Sequence, residues 1–181
     1  LKLQDEAAFF AEYQNEPLPE ETADADELTP DQIAAKTNRM QQAAIPIGCN
    51  HLTMFIDVQG NLLFLVVAAW EDDFTGYVVD YGTFPDQKRP YFTLRDARNT
   101  LAIATKISSL EGSLYAGLER VTVDYLGREW KRDDGAMVRI ERCLIDANWG
   151  SSTDLVYQFC RQSAHAGIVM PSHGRFVGAS S

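Results

Sequence analysis

Apolar positions are densest over residues 52–70, LTMFIDVQGNLLFLVVAAW, where two apolar runs flank Gln59-Gly60-Asn61. β-Branched and aromatic residues fill both runs and Gly60-Asn61 suits a type II′ turn, so the pattern predicts a strand, a tight hairpin and a second strand. Residues 76–81 (GYVVDY) read as a third strand after a solvated Glu71-Asp72-Asp73 turn, completing an antiparallel meander. Helical spacing follows over residues 93–106, with Leu94, Ala97, Leu101 and Ala104 on one face. A further helix is marked by Leu114, Leu118, Val121 and Tyr125 and closed by Gly127. Then come a short strand at 130–132, an Asp133-Asp134-Gly135 turn and a longer strand over 138–145 that runs into Asp146. Ser151-Ser152-Thr153-Asp154 offers N-caps for a helix to Ser163, and residues 167–170 (GIVM) form the last strand.

Upstream the pattern weakens. Residues 5–13 (DEAAFFAEY) have helical spacing, and residues 17–27 (PLPEETADADE) are acidic, Pro-containing and aromatic-free, the composition of a linker. Thr29-Pro30 then supplies an N-cap and a Pro at the first helical position for a short helix over 31–40. The expected organisation is a tether over residues 1–45 and one α/β domain over residues 46–181.

A three-strand meander followed by helix, strand, helix, strand predicts an α/β fold: an antiparallel meander plus parallel strands 4 and 5 in one mixed sheet flanked by helices. This is the layout of the ribonuclease-H-like fold, in which the first strand is central and the fourth lies parallel beside it. Asp57 and Asp146 each follow an Ile at a strand end, so that layout brings both to one edge of the sheet.

Charge and cysteine content narrow the picture. The formal charge is −10; residues 1–45 hold ten acids and three bases (−7), leaving −3 on the remainder. No basic platform is present to grip nucleic acid by counterion release alone. No window approaches roughly 18 uninterrupted apolar residues, and the opening LKLQDEAAFF lacks a signal peptide's basic-then-apolar order, so a soluble protein without a membrane partner is expected. Cys49, Cys143 and Cys160 are odd in number and lack CxxC spacing, which points to core thiols in a reducing compartment.

An acid inside an apolar strand is costly unless paired, hydrogen-bonded or bound to a cation. Two carboxylates at one sheet edge suit Mg²⁺ or Mn²⁺, and a two-metal site hydrolyses phosphodiesters. Turn-capping and salt-bridged acids occupy such positions as well. Asp80, ending the third strand, and Asp154, in a first helical turn, are candidates for a supporting role around the pair. His51, His165 and His173 lack HxxxH or HExxH spacing and read as loop or surface residues; His173 and Arg175 are the candidates for a phosphate contact. Trp70 and Trp149 suit packing, and Ser151-Ser152 has no His placed to activate it.

Several pieces, taken in order, raise a more specific expectation: AEYQNEP at 11–17, FIDVQ at 55–59, Trp70, VDYG at 79–82, LID at 144–146 and VYQFCR at 156–161. Together they resemble the large subunit of lambda-like tailed-bacteriophage DNA-packaging terminases. In that family an ATPase motor precedes a ribonuclease-H-like nuclease that cuts concatemeric double-stranded DNA. The resemblance implies that residues 1–45 leave the motor, whose GxxxxGK[ST] motif does not occur here, and that residues 46–181 are the nuclease. It makes Asp57 the first-strand and Asp146 the fourth-strand catalytic metal ligand, with Mg²⁺ or Mn²⁺ as cofactor. It implies double-stranded DNA, the ATPase domain, the small terminase subunit and the portal as partners, in the cytoplasm of a bacterial host. The family's third acidic ligand lies on a helix past the stretch matching residues 171–175, so a C-terminally truncated domain is expected. A non-catalytic module docking on portal or small subunit through residues 15–27, and another ribonuclease-H-like enzyme such as a junction resolvase, are the alternatives.

Overall fold

A computed structural model describes residues 29–36, 40–89, 92–148 and 150–174. The expected helix over 5–13 and the linker over 17–27 lie outside the described residues. The chain divides into two units, Leu1–Met40 and Gln41–Ser181. In the first, helix α1 (Pro30–Ala35) is shorter than the 31–40 span expected. Its start is a reciprocal capping box: Gln32 N–H donates to Thr29 Oγ1 (3.2 Å) and Thr29 N–H to Gln32 Oε1 (2.8 Å).

In the second unit, strands β1 (His51–Val58), β2 (Leu63–Trp70) and β3 (Gly76–Phe84) form the expected meander. Gly60 supplies the turn's positive φ (+62°), Asn61 N–H donates to Gln59 O at 2.6 Å, and Gln59 N–H donates to Leu62 O at 3.0 Å. Helices α2 (Leu101–Thr105) and α3 (Leu110–Gly127) follow, then a ribbon of β4 (Trp130–Lys131) and β5 (Met137–Val138). Strand β6 (Arg142–Asp146), helix α4 (Thr153–Gln162) and strand β7 (Val169–Ser172) complete the unit. The five-stranded sheet runs β3-β2-β1-β6-β7, with β1 paired antiparallel to β2 and parallel to β6, and β6 parallel to β7. This is the mixed sheet with a central first strand that the sequence predicts.

Three local expectations are corrected. The helix expected over 93–106 breaks into a 3-10 turn at Leu94–Asp96 and α2, because Thr100 caps the latter by accepting from Ile103 N–H. Gln87 holds the intervening backbone, accepting from the N–H groups of Arg98 and Asn99. The strand expected over 138–145 splits, since Met137 and Val138 pair with β4 while Arg142 onward joins the main sheet. Strand β3 extends to Phe84 and carries a bulge opposite Val67/Ala68. The bulge turns two successive residues, Val79 and Asp80, inward, where alternation alone allows one.

Alternate residues of the central strands bury one face: Leu52, Met54, Ile56 and Val58 on β1, Leu63, Leu65, Val67 and Ala69 on β2, Cys143 and Ile145 on β6. Leu101, Leu114, Leu118, Val121, Val156 and Phe159 of the helices belong to the same core. Gly117 lets α3 close on α2, since a Cβ there would lie 2.6 Å from Leu101 Cδ2. The other face carries Thr53, Phe55 and Asp57 on β1 and Arg142, Leu144 and Asp146 on β6, all partly or well exposed. A groove of about 910 Å³ runs over it, walled by Phe55, Val66, Trp70, Leu144 and Met170 among others.

All three cysteines are free and buried. Burial pushes the Cys143 thiol up to about 12 and that of Cys160 to about 11, from an ordinary 9.0. Because the folded values are raised, the stabilisation is complete below the unfolded value and is lost as pH rises through the folded ones. The expected result is a urea midpoint insensitive to these thiols up to about pH 9 and falling between about pH 9 and 12. Cys143→Ala and Cys160→Ala, each compared with the parent chain across that range, should flatten the fall.

Candidate active site

Parallel pairing of β1 with β6 matches Ile56 with Ile145, so the next residues, Asp57 and Asp146, stand side by side at the strand ends. Neighbouring strands are about 4.8 Å apart, so the two carboxylates share one small region of the sheet edge. Both belong to the open face, because the buried Ile56 and Ile145 before them point into the core and strand side chains alternate.

Each acid has one oxygen engaged. Gln59 Nε2 donates to Asp57 Oδ2 at 2.8 Å, and Asn148 N–H donates to Asp146 Oδ1 at 3.1 Å. Among the described residues neither acid has an ion-pair partner, and Asp57 Oδ1 and Asp146 Oδ2 have no protein donor. Two adjacent carboxylates without a protein cation are electrostatically incomplete, and hard oxygen donors of this kind fit Mg²⁺ or Mn²⁺. Among the described residues no group of three metal-ligating side chains occurs, so the donor set here is a pair.

The backbone after Asp146 is pinned on both sides. Ala147 N–H donates to Ser172 O at 2.9 Å, extending the β6–β7 ladder, and Thr153 Oγ1 donates to Ala147 O at 2.7 Å from the start of α4. Thr153 thus ties the helix to the strand end, whereas Ser152 at the cap position makes no side-chain cap bond.

Asp80, expected in a supporting role, stands apart from the pair in the sheet. It opposes Val67, which opposes Met54, placing Asp80 two strands from β1 and three residues short of Asp57 along the strand direction. Its carboxylate, 8% exposed, accepts from Arg128 Nη2 at 3.0 Å and Gln42 Nε2 at 2.5 Å. The Arg128 guanidinium in turn stacks 3.7 Å from the Trp130 ring centre and 4.7 Å from that of Tyr125. Burial first, then the Asp80 charge, pushes the Tyr125 hydroxyl up to about 12. The cluster is a structural ion pair.

Asp154 is exposed in the first turn of α4, without a bond to Asp146 among the described residues. His51 lies at the far end of β1 against Glu141 (3.0 Å), whose hydrogen bond raises its pKa. His173 lies just past β7 with both ring nitrogens engaged, Nδ1 to Asn148 Oδ1 (2.7 Å) and Nε2 to Tyr157 OH (2.9 Å). A phosphate contact there would displace one of those partners. Arg175 and Trp149 lie outside the described residues. Gln59, Asn148 and Tyr157 are functional candidates that the sequence reading missed. Only Gln59 had a signal, lying two residues past Asp57 on the same face of an extended chain.

A central first strand, a parallel fourth strand beside it and acids emerging together at their ends define a ribonuclease-H-like α/β domain. The chain belongs to the family "Terminase large subunit gpA, endonuclease domain", whose model matches residues 4–179. No curated protein matches the sequence. Among solved structures, the Aquifex aeolicus member of the Ppx/GppA family is similar at 10% identity and TM-score 0.35, over 67% of this chain and 35% of that one. An exopolyphosphatase from Cytophaga hutchinsonii is similar at 11% identity and TM-score 0.28, over 67% and 34%. This chain spans about a third of the length of each.

Proposed function

We propose that this domain is the metal-dependent endonuclease of a phage packaging terminase, cutting concatemeric double-stranded DNA with Asp57 and Asp146 as metal ligands. The observation that carries it is the placement, at adjacent positions on the open face, of two carboxylates that have no ion-pair partner among the described residues. When bound there, Mg²⁺ or Mn²⁺ activates water and stabilises the leaving oxygen of the scissile phosphodiester. The chain's own residues hold and orient. Gln59 fixes one oxygen of Asp57 and Asn148 fixes one of Asp146, leaving the other oxygen of each for the cation.

The net charge of −3 over residues 46–181 supplies little grip on DNA, so affinity is assigned to the ATPase domain and to the small subunit and portal that present the DNA. Supercoiled plasmid incubated with the full-length large subunit is expected to be nicked or linearised with Mn²⁺ and left intact with EDTA. Intact plasmid under both conditions, or equal cutting in EDTA, overturns the assignment. Preference for branched over linear DNA would instead make this a junction resolvase. The expected site of action is the host cytoplasm; among the described residues no helix is long and apolar enough to cross a membrane.

A further inference from the structure

We infer that Asn148, His173 and Tyr157 form a positioning relay that sets the Asp146 carboxylate for its cation, an inference that rests on the metal reading above. Asn148 is the hub. Its backbone N–H donates to Asp146 Oδ1 (3.1 Å) and its side-chain Nδ2 donates to Gly174 O (3.2 Å). The second bond decides which way the amide faces, leaving Oδ1 toward His173 Nδ1 at 2.7 Å. A carbonyl oxygen only accepts, so Nδ1 carries the proton, and Nε2 then accepts from the Tyr157 hydroxyl at 2.9 Å. Donation therefore runs one way: Tyr157 to His173, His173 to the Asn148 side chain, and the Asn148 backbone to Asp146.

Three elements meet in this relay: the loop after β6, the exit of β7 and helix α4. Gly174 serves the approach, since a Cβ there would lie 3.2 Å from Asn148 Nδ2. The His173 bonds are solvent-exposed, so they add little to global stability. What they accomplish is local: a phenol, an imidazole and an amide are ordered behind one carboxylate, as the outer partners of metal ligands usually are. His173 is thus a positioning residue.

The test compares the parent chain with His173→Asn, His173→Gln, Tyr157→Phe and Asp146→Asn. Mn²⁺ titration is followed by paramagnetic broadening of amide resonances, which reads weak binding without requiring cleavage. An Asn amide nitrogen superposes on the imidazole Nδ1, whereas a Gln amide nitrogen takes the place of Nε2. His173→Asn is expected to keep Mn²⁺ affinity near that of the parent, and His173→Gln to weaken it about tenfold or more. Tyr157→Phe should fall between them. Equal affinity in His173→Gln and the parent, with binding lost in Asp146→Asn, overturns the relay and leaves the metal reading standing. No Mn²⁺ broadening near Asp57 and Asp146 in the parent overturns both. Independently of metal, ¹⁵N-detected imidazole spectra should show the Nδ1–H tautomer; the Nε2–H tautomer contradicts the relay even if a variant fails to fold.

Discussion

Asp57→Asn and Asp146→Asn are each expected to lower Mn²⁺-dependent cutting by the full-length subunit about a thousandfold or more, the loss that follows from removing several kcal/mol of transition-state charge stabilisation. The substitution keeps shape and one carbonyl acceptor, so Gln59 and Asn148 retain their bonds. What disappears is one of two like charges that stand side by side. Without metal, relief of that repulsion leaves each variant at least as stable as the parent, which separates loss of chemistry from loss of fold. With metal the order reverses. The parent gains stability by binding, in proportion to the logarithm of Mn²⁺ concentration over its dissociation constant, and the variants do not. Melting curves with and without MnCl₂, run beside plasmid cleavage, check both halves. Parent-level cutting by either variant would remove that residue from the site.

The juxtaposition of Asp57 and Asp146 was legible because it follows from two simple features. Asp146 ends its strand and Asp57 lies one residue short of the end of its own, each after a buried Ile, and a strand reached through intervening helices runs parallel to the first. The Gly60 turn was legible for the same kind of reason, since a two-residue loop sets its own backbone demands. The corrected elements depend in part on partners further along the chain, although the Thr100 cap of α2 is a local signal. Gln87 breaks the expected helix by capturing backbone around Asn99, and the Val79 bulge turns Asp80 toward Arg128, 48 residues away. No local periodicity encodes such contacts. The relay behind Asp146 is equally non-local, joining Asn148 to a histidine 25 residues on. Activity class and partners came from the family resemblance, since two acids and a sheet of this layout serve many chemistries.

Arg128→Ala is expected to cost about 1.5–3 kcal/mol of stability, the range for losing a charge-assisted hydrogen bond to a carboxylate. The asymmetry of the pair sharpens the expectation. The Asp80 side chain is 8% exposed and the Arg128 side chain 40%, so the orphaned carboxylate has little access to water, whereas an orphaned guanidinium has more. Asp80→Asn should therefore cost less than Arg128→Ala, with Gln42 still able to bond the amide oxygen. Arg128→Ala also strips the stacked cation from Trp130 and Tyr125, a loss that Asp80→Asn avoids. In the double variant the buried charge is gone from both sides, so its cost falls below the sum of the singles; urea denaturation of the four proteins measures the coupling. The same set decides whether Asp80 belongs to the metal site. A structural pair leaves the Mn²⁺-induced rise in melting temperature intact in Asp80→Asn, while loss of that rise would return Asp80 to the neighbourhood of Asp57 and Asp146 and contradict the geometry of β3.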